Sequence, residues 1–129
     1  MSMISAFKAS ASGLAAERYR MDVISTNLAN AGTMRVNGKD PYRRKEVVLK
    51  ESSDGVQILD TVDDMSPFRS EHEPGSPLAD SNGLVYYSNV EPITEMVDMI
   101  GASRAYEANL NAFLTTKQMI QSALDIIRA

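Results

Sequence analysis

No cysteine and no tryptophan occur among the 129 residues, and histidine occurs once. Without cysteine there is no disulfide framework, no thiolate metal site and no thiol nucleophile. His72 alone cannot assemble a His/Cys ligand set, and it sits in a Glu-His-Glu-Pro-Gly run that reads as an exposed loop. Aromatic residues make up 6% of the chain against 8 methionines, so its core is aliphatic, methionine and alanine, which suits helix packing better than a rigid ligand pocket. No apolar run approaches the ~20 residues of a membrane span. A secretory leader is missing too, because Ser2, Ser5, Lys8, Ser10 and Ser12 interleave with the first apolar residues. That serine-rich, acid-free start has the composition of an organelle transit peptide, but its helical pattern runs on through Leu28. A surplus of base is also lacking: the net charge of −4 argues against a sequence-independent nucleic-acid binder. Nucleotide-binding glycine motifs and a Gly-x-Ser-x-Gly elbow are absent, and Asp60, Asp63 and Asp64 lack the spacing and closing glutamate of a calcium loop. No catalytic, cofactor or metal site is expected.

What the chain does have is helical periodicity at both ends. Phe7, Leu14, Met21 and Leu28 recur every seven residues, with Ile4, Ala11 and Ile24 filling the same stripe. This predicts one amphipathic helix over residues 1–30, broken at Asn30-Ala31-Gly32. Ser10, Ser12, Gly13, Ala15 and Ala16 would let another helix approach closely. At the other end Met99, Tyr106, Phe113, Ile120 and Ile127 hold the same interval, and Met96, Leu110 and Leu124 supply the alternating positions. Pro92 suits a first turn and Glu95 lies near the positive end of the helix dipole, so a second helix is expected over residues 92–129.

Between residues 31 and 91 the period shortens and turn chemistry appears at Asn37-Gly38, Ser53-Asp54-Gly55 and Asn82-Gly83. Residues 33–36, 45–49, 56–61 and 84–87 are the strand candidates. Residues 65–80 carry Pro67, Pro74, Gly75 and Pro77 and read as loop rather than strand. The fold class expected is therefore α+β: long N- and C-terminal helices packed as a coiled-coil-like pair, forming one core domain, with a small β-rich insert projecting from it.

Charge is segregated within that insert. Arg35, Lys39, Arg43, Arg44, Lys45 and Lys50 face only Asp40 and Glu46 in residues 31–50, whereas residues 51–92 hold nine acids against Arg69. These are either two solvated faces or complementary patches that align neighbouring copies. Polar groups inside the helices leave a similar choice. Asn27 and Asn30 cap the first helix, or they fix register at the seam; Arg104, Glu107 and Asn109 are surface groups, or they select a partner. Lys117 at a seam position argues against a dry dimer.

The stretch Ser25-Thr26-Asn27-Leu28-Ala29-Asn30-Ala31-Gly32-Thr33, preceded by Ser12-Gly13-Leu14 and Arg20-Met21, resembles the N-terminal signature of the bacterial flagellar rod and hook proteins. Glu95 and Met96 match the start of that family's C-terminal helix; Arg104, Tyr106, Glu107 and Asn109 within residues 102–109, and Lys117-Gln118-Met119, resemble its continuation. In the middle, Ser66-Pro67-Phe68-Arg69, residues 74–80 and Ser88-Asn89-Val90-Glu91 are similar to the short proximal-rod members. Ser88 departs from the family, which often has proline before this asparagine. The resemblance implies a structural subunit without catalysis or cofactor, exported through the flagellar type III apparatus without signal cleavage. It implies assembly in the periplasm with copies of itself, FlgB-like and FlgF-like rod neighbours and the basal-body export and base components, without nucleic acid or membrane insertion. A coiled-coil adaptor is the alternative that the heptads alone allow.

Overall fold

A computed structural model describes residues 2–129. Its elements run in the order α1 (Met3–Ala29), β1 (Lys45–Ser52), β2 (Gly55–Asp63), β3 (Arg69–His72), β4 (Leu84–Tyr87) and α2 (Pro92–Arg128). The class is the expected α+β.

The ends of α1 follow from local chemistry. The Ser2 hydroxyl accepts the Ser5 N–H at 3.1 Å, capping the N-terminus, and Asn30 closes the C-terminus, its side-chain N–H reaching the Thr26 carbonyl at 2.8 Å. Helix α2 starts with Pro92 in its first turn, where the missing N–H costs nothing. The two helices are antiparallel. Asn27 meets Glu95, Gly13 faces Asn109, and the rings of Phe7 and Phe113 stack at 4.2 Å. At 1.5 Å per residue α1 is about 40 Å long and α2 about 55 Å, so the last turns of α2 run past the start of α1.

The insert consists of two small sheets. Strands β1 and β2 form an antiparallel hairpin whose register shifts between Val48 and Leu49, so that Leu59 has no partner. One side of this ribbon lies along α1: the Val56 N–H donates to the Ser12 hydroxyl at 3.1 Å, and Tyr19 and Thr61 share a hydrogen bond of 2.7 Å. Gly55, at φ 131°, brings the hairpin turn so close that a Cβ there would overlap the Ser12 hydroxyl. A two-stranded ribbon is marginal alone, and α1 supplies the second layer that it packs on.

Strands β3 and β4 form the second antiparallel pair. Two expectations are corrected here. The prolines of residues 65–80 predict a loop, but β3 fits between Pro67 and Pro74 as an edge strand, which tolerates flanking proline, and it carries His72. The composition of residues 33–36 predicts a strand, yet they make only the isolated bridges Met34 to Tyr87 and Val36 to Lys39. The Asn37-Gly38 turn, with φ 50° and 77°, folds this segment back after one bridge, too soon for a ladder. The backbone still joins the sheet: Arg35 N–H donates to the Tyr86 carbonyl at 2.9 Å and Ser88 N–H to the Thr33 carbonyl at 3.0 Å. A proline at position 88 would forfeit that second bond.

Among the described residues, the buried apolar side chains are Ala16, Ile24, Pro41, Val85, Val90 and Ala102. So small a core leaves much apolar surface available to neighbours.

Candidate assembly interface

The end of α1 and the start of α2 are tied together by polar groups. Asn27 and Glu95 are both buried. Asn27 donates from Nδ2 to the Lys45 carbonyl at 2.9 Å and to Glu95 Oε2 at 3.2 Å, while its Oδ1 accepts the Tyr42 hydroxyl at 2.8 Å and the Lys45 N–H at 3.1 Å. All hydrogen-bonding capacity of the buried amide is thereby used. Asn27 is thus no cap, since Asn30 does that work; it joins α1 to the insert and to α2.

Arg44 supplies the opposing charge. Its Nε pairs with Glu95 Oε1, its Nη1 with Glu46 and, at 3.3 Å, Asp64, and its Nη2 with Asp98 at 3.4 Å. Burial works against the guanidinium charge, but the hydrogen bonds to Glu95 and Glu46 outweigh it and raise the pKa further. The Arg44 backbone N–H donates to Asn89 Oδ1 at 2.7 Å, and Asn89 Nδ2 donates to the carbonyls of Asp64 and Ser66. Lys45 pairs with Asp63 at 2.6 Å. Arg44 and Lys45 of the basic run therefore meet Asp64 and Asp63 of the acidic run within one chain, the Lys45 pair lying at the end of the β1–β2 ladder. Arg43 likewise turns inward, onto the Asp64 and Ser66 carbonyls and over the Phe68 ring.

The Asp64 carboxylate accepts the Ser66 hydroxyl at 2.6 Å and the Ser66 N–H at 2.9 Å. These bonds, with Arg44 behind them, hold its pKa below the ordinary 3.8. A carboxylate depressed on folding contributes stability that is present above its unfolded pKa and is lost as pH falls through its folded pKa. Acid titration by circular dichroism should accordingly show wild type losing more stability below about pH 4 than Asp64→Asn, which starts less stable at neutral pH. Parallel acid profiles for the two chains would remove Asp64 from this account.

Away from this knot, the structure places the seam residues unevenly. Phe7, Leu14, Met21, Leu28, Met99, Tyr106, Leu110, Phe113 and Ile120 are half-buried, Phe7 and Phe113 against each other, whereas Leu124 and Ile127 are exposed. The reason is length: α1 ends its cover before α2 does. Asn109 sits over Gly13, whose Cβ would come within 2.7 Å of its amide oxygen, so the small residue makes room for a polar one at mid-seam. Thr33 lies beside the knot and donates its N–H and hydroxyl to the Asn30 carbonyl while its hydroxyl oxygen accepts the Tyr42 N–H. Ala29, Met96, Arg104 and Glu107 are exposed and are brought to no common site. Lys117 is exposed as well.

Tyr42, Arg44, Asp64 and Asn89 belong to the knot although nothing in their spacing marked them out. The family stretches around Asn27, Asn89 and Glu95 were the signals that pointed near it.

The two helices also match known protein families separately. Residues 7–35 match the family model described as flagella basal body rod protein, and residues 81–126 match that of the flagellar basal body rod FlgEFG protein C-terminal. Full-length similarity is greater still. The chain is 36% identical to the flagellar basal-body rod protein FlgC of Salmonella typhimurium over 132 residues, covering 98% of both chains. It is 38% identical to FlgC of Bacillus subtilis over 148 residues, covering 98% of this chain and 99% of that one. The chain belongs to the FlgC family of flagellar basal-body rod proteins. A third relative, FlgC of Buchnera aphidicola, is 40% identical over 134 residues with 98% of each chain covered. In this FlgC-family chain the Asn27–Glu95 bond joins the segment matched by one model to the segment matched by the other.

Proposed function

We propose that the chain is a non-enzymatic structural subunit of the proximal rod, packing with copies of itself and with FlgB-like and FlgF-like neighbours into the tube that transmits torque. The observation that carries this reading is similarity to FlgC rod proteins along nearly the whole chain. The seam residues from Phe7 to Leu28 and from Met99 to Ile127 would form the helical wall of that tube, with the knot holding the insert at a fixed angle to it. Half-covered helices of this kind gain by burying their remaining apolar surface against neighbours. A cysteine-free chain also suits passage, unfolded and without signal cleavage, through the flagellar export apparatus to the periplasm. Among the described residues, no helix is long and apolar enough to cross a membrane.

Deleting the gene should give non-motile cells whose basal bodies stop short of a complete rod. Expressing the intact chain in trans should restore swimming, and an epitope on the β1–β2 turn should label the membrane-proximal part of purified rods. Swimming by the deletion strain, or label confined to the cytoplasm, would overturn the assignment.

A further inference from the structure

Two asparagine–glycine pairs occur in the chain, at Asn37-Gly38 and Asn82-Gly83, and the fold holds them differently. In such a pair the glycine amide nitrogen has open access to the asparagine side chain, because the glycine carries no Cβ to hinder the approach. Asn37 and Gly38 are both exposed, at φ 50° and 77°. Their turn is closed by the Val36 N–H to the Lys39 carbonyl at 3.2 Å and the Lys39 N–H to the Val36 carbonyl at 2.9 Å. Neither bond uses the Gly38 N–H, which has no hydrogen-bond partner among the described residues, and nothing lies within 4 Å of where a Gly38 Cβ would stand. At the second pair the Gly83 N–H donates to the Asp80 carbonyl at 3.0 Å, and a Cβ on Gly83 would meet His72 Nε2 and Pro74 Cβ, each at 3.2 Å. Asp80 Oδ1 accepts the Asn82 and Leu84 N–H groups, both at 2.9 Å, so a carboxylate sits directly against that turn.

From this difference we propose that Asn37 is a site of spontaneous covalent modification, deamidated to aspartate and isoaspartate by water alone, while Asn82 is protected by the fold. The Gly38 nitrogen gives its proton to solvent hydroxide and attacks Asn37 Cγ. The new N–C bond closes a cyclic imide, the bond from Cγ to Nδ2 breaks, and Nδ2 leaves as ammonia with a proton from water. A second water opens the imide. Breaking the new bond gives aspartate, and breaking the original peptide bond gives isoaspartate, whose main chain runs through Cγ. In sum one water is consumed and one ammonia released. Charge favours the first site: Arg35 is already paired with Asp40, which leaves Lys39 to stabilise the anionic nitrogen, whereas Asp80 opposes the same charge on Gly83. Mobility favours it too, since the turn at Asn37 ends an isolated bridge and opens readily, but Gly83 must first break its own hydrogen bond. Aspartate keeps the left-handed backbone that position 37 requires. Isoaspartate lengthens the main chain by a methylene, so the two bonds of the Val36–Lys39 turn cannot both be kept, and the Arg35 bond to the Tyr86 carbonyl of β4 is loosened.

The reaction needs only the folded chain, so its outcome is independent of the rod reading. The purified full-length protein is held in mildly alkaline buffer, and samples taken over days are digested and read by mass spectrometry. The peptide containing Asn37 should gain the mass of an amide turned to an acid and separate into aspartate and isoaspartate forms. It should do so at least about tenfold faster than the peptide containing Asn82, the scale of one hydrogen bond that must open first. In urea the two rates should converge, because the protection of Asn82 is lost with the fold. No conversion at Asn37, equal rates in the folded chain, or a gap that persists in urea overturns the proposal. Asp80→Ala removes the carboxylate and its bonds to both turn amides, and it should speed reaction at Asn82 while leaving Asn37 unchanged. An unchanged rate at Asn82 overturns the protection assigned to Asp80. Amide hydrogen exchange at Arg35 should be faster in the isoaspartate fraction than in an Asn37→Asp chain, which has the ordinary product without the isomer. Equal exchange overturns the loosening from β4.

Discussion

Phe113→Asp is expected to abolish swimming in soft agar while the chain is still made, with basal bodies arrested before the distal rod. Phe113 packs on Phe7 at 4.2 Å, one turn from the start of α1, where the two helices are still paired. Loss of a fully buried phenylalanine costs about 3–5 kcal/mol, and a half-buried one roughly half of that in the isolated chain. Aspartate adds the desolvation of a charge between apolar faces. Urea denaturation should show a lowered midpoint for α1 and α2. The β3–β4 sheet is held by its own ladder and by the bonds of Arg35 and Ser88, so its hydrogen-exchange protection should change least. Leu110→Asp, three residues earlier on the same face, should act in the same direction. Wild-type swimming with Phe113→Asp as the sole copy would end the claim that this seam builds the rod.

The second large effect is expected at Arg44. Changing it to methionine keeps most of the side-chain volume but strands Glu95, which is wholly buried, with Asn27 as its remaining side-chain donor. Breaking a buried pair in this way costs about 3–5 kcal/mol, because the unpaired charge keeps its desolvation penalty. Glu46, Asp64 and Asp98 lose the same cation, so repulsion among them adds to the loss. Arg44→Lys should recover only part, since an ammonium cannot present the fork that reaches Glu95, Glu46 and Asp98 together. A double-mutant cycle with Glu95→Gln, followed by chemical denaturation, gives the coupling directly: the Arg44→Met loss should shrink when position 95 is already neutral. Additive losses would mean that the pair does not bind insert to helices.

Both variants touch features whose visibility in the sequence differs. The two helices were legible because seven-residue spacing over many turns leaves few alternatives: α1 was expected to residue 30 and α2 from residue 92, and they occupy Met3–Ala29 and Pro92–Arg128. The β1–β2 hairpin was legible because Asp54-Gly55 separates two β-branched runs. Strand β3 was not, since four exposed residues between prolines carry no alternation to read, and their pairing is decided by β4, which lies a dozen residues on. The segment at residues 33–36 failed in the opposite sense, having strand composition without a partner long enough to make a ladder.

The sequence by itself determined the class, the paired helices and, through its motifs, the family, because periodicity and turn chemistry are local properties. Only the tertiary structure decided what the charged and amide residues do. Arg44 reads as one base in a basic run, and Asn27 reads as the end of a helix. Their partners lie 51 and 68 residues away, at Glu95. Burial of that carboxylate, which turns a common ion pair into the joint of the molecule, comes from three elements closing over it together. The exposure of Leu124 and Ile127 at the end of α2 is likewise a difference between two helix lengths, and it exists only once the helices are laid side by side.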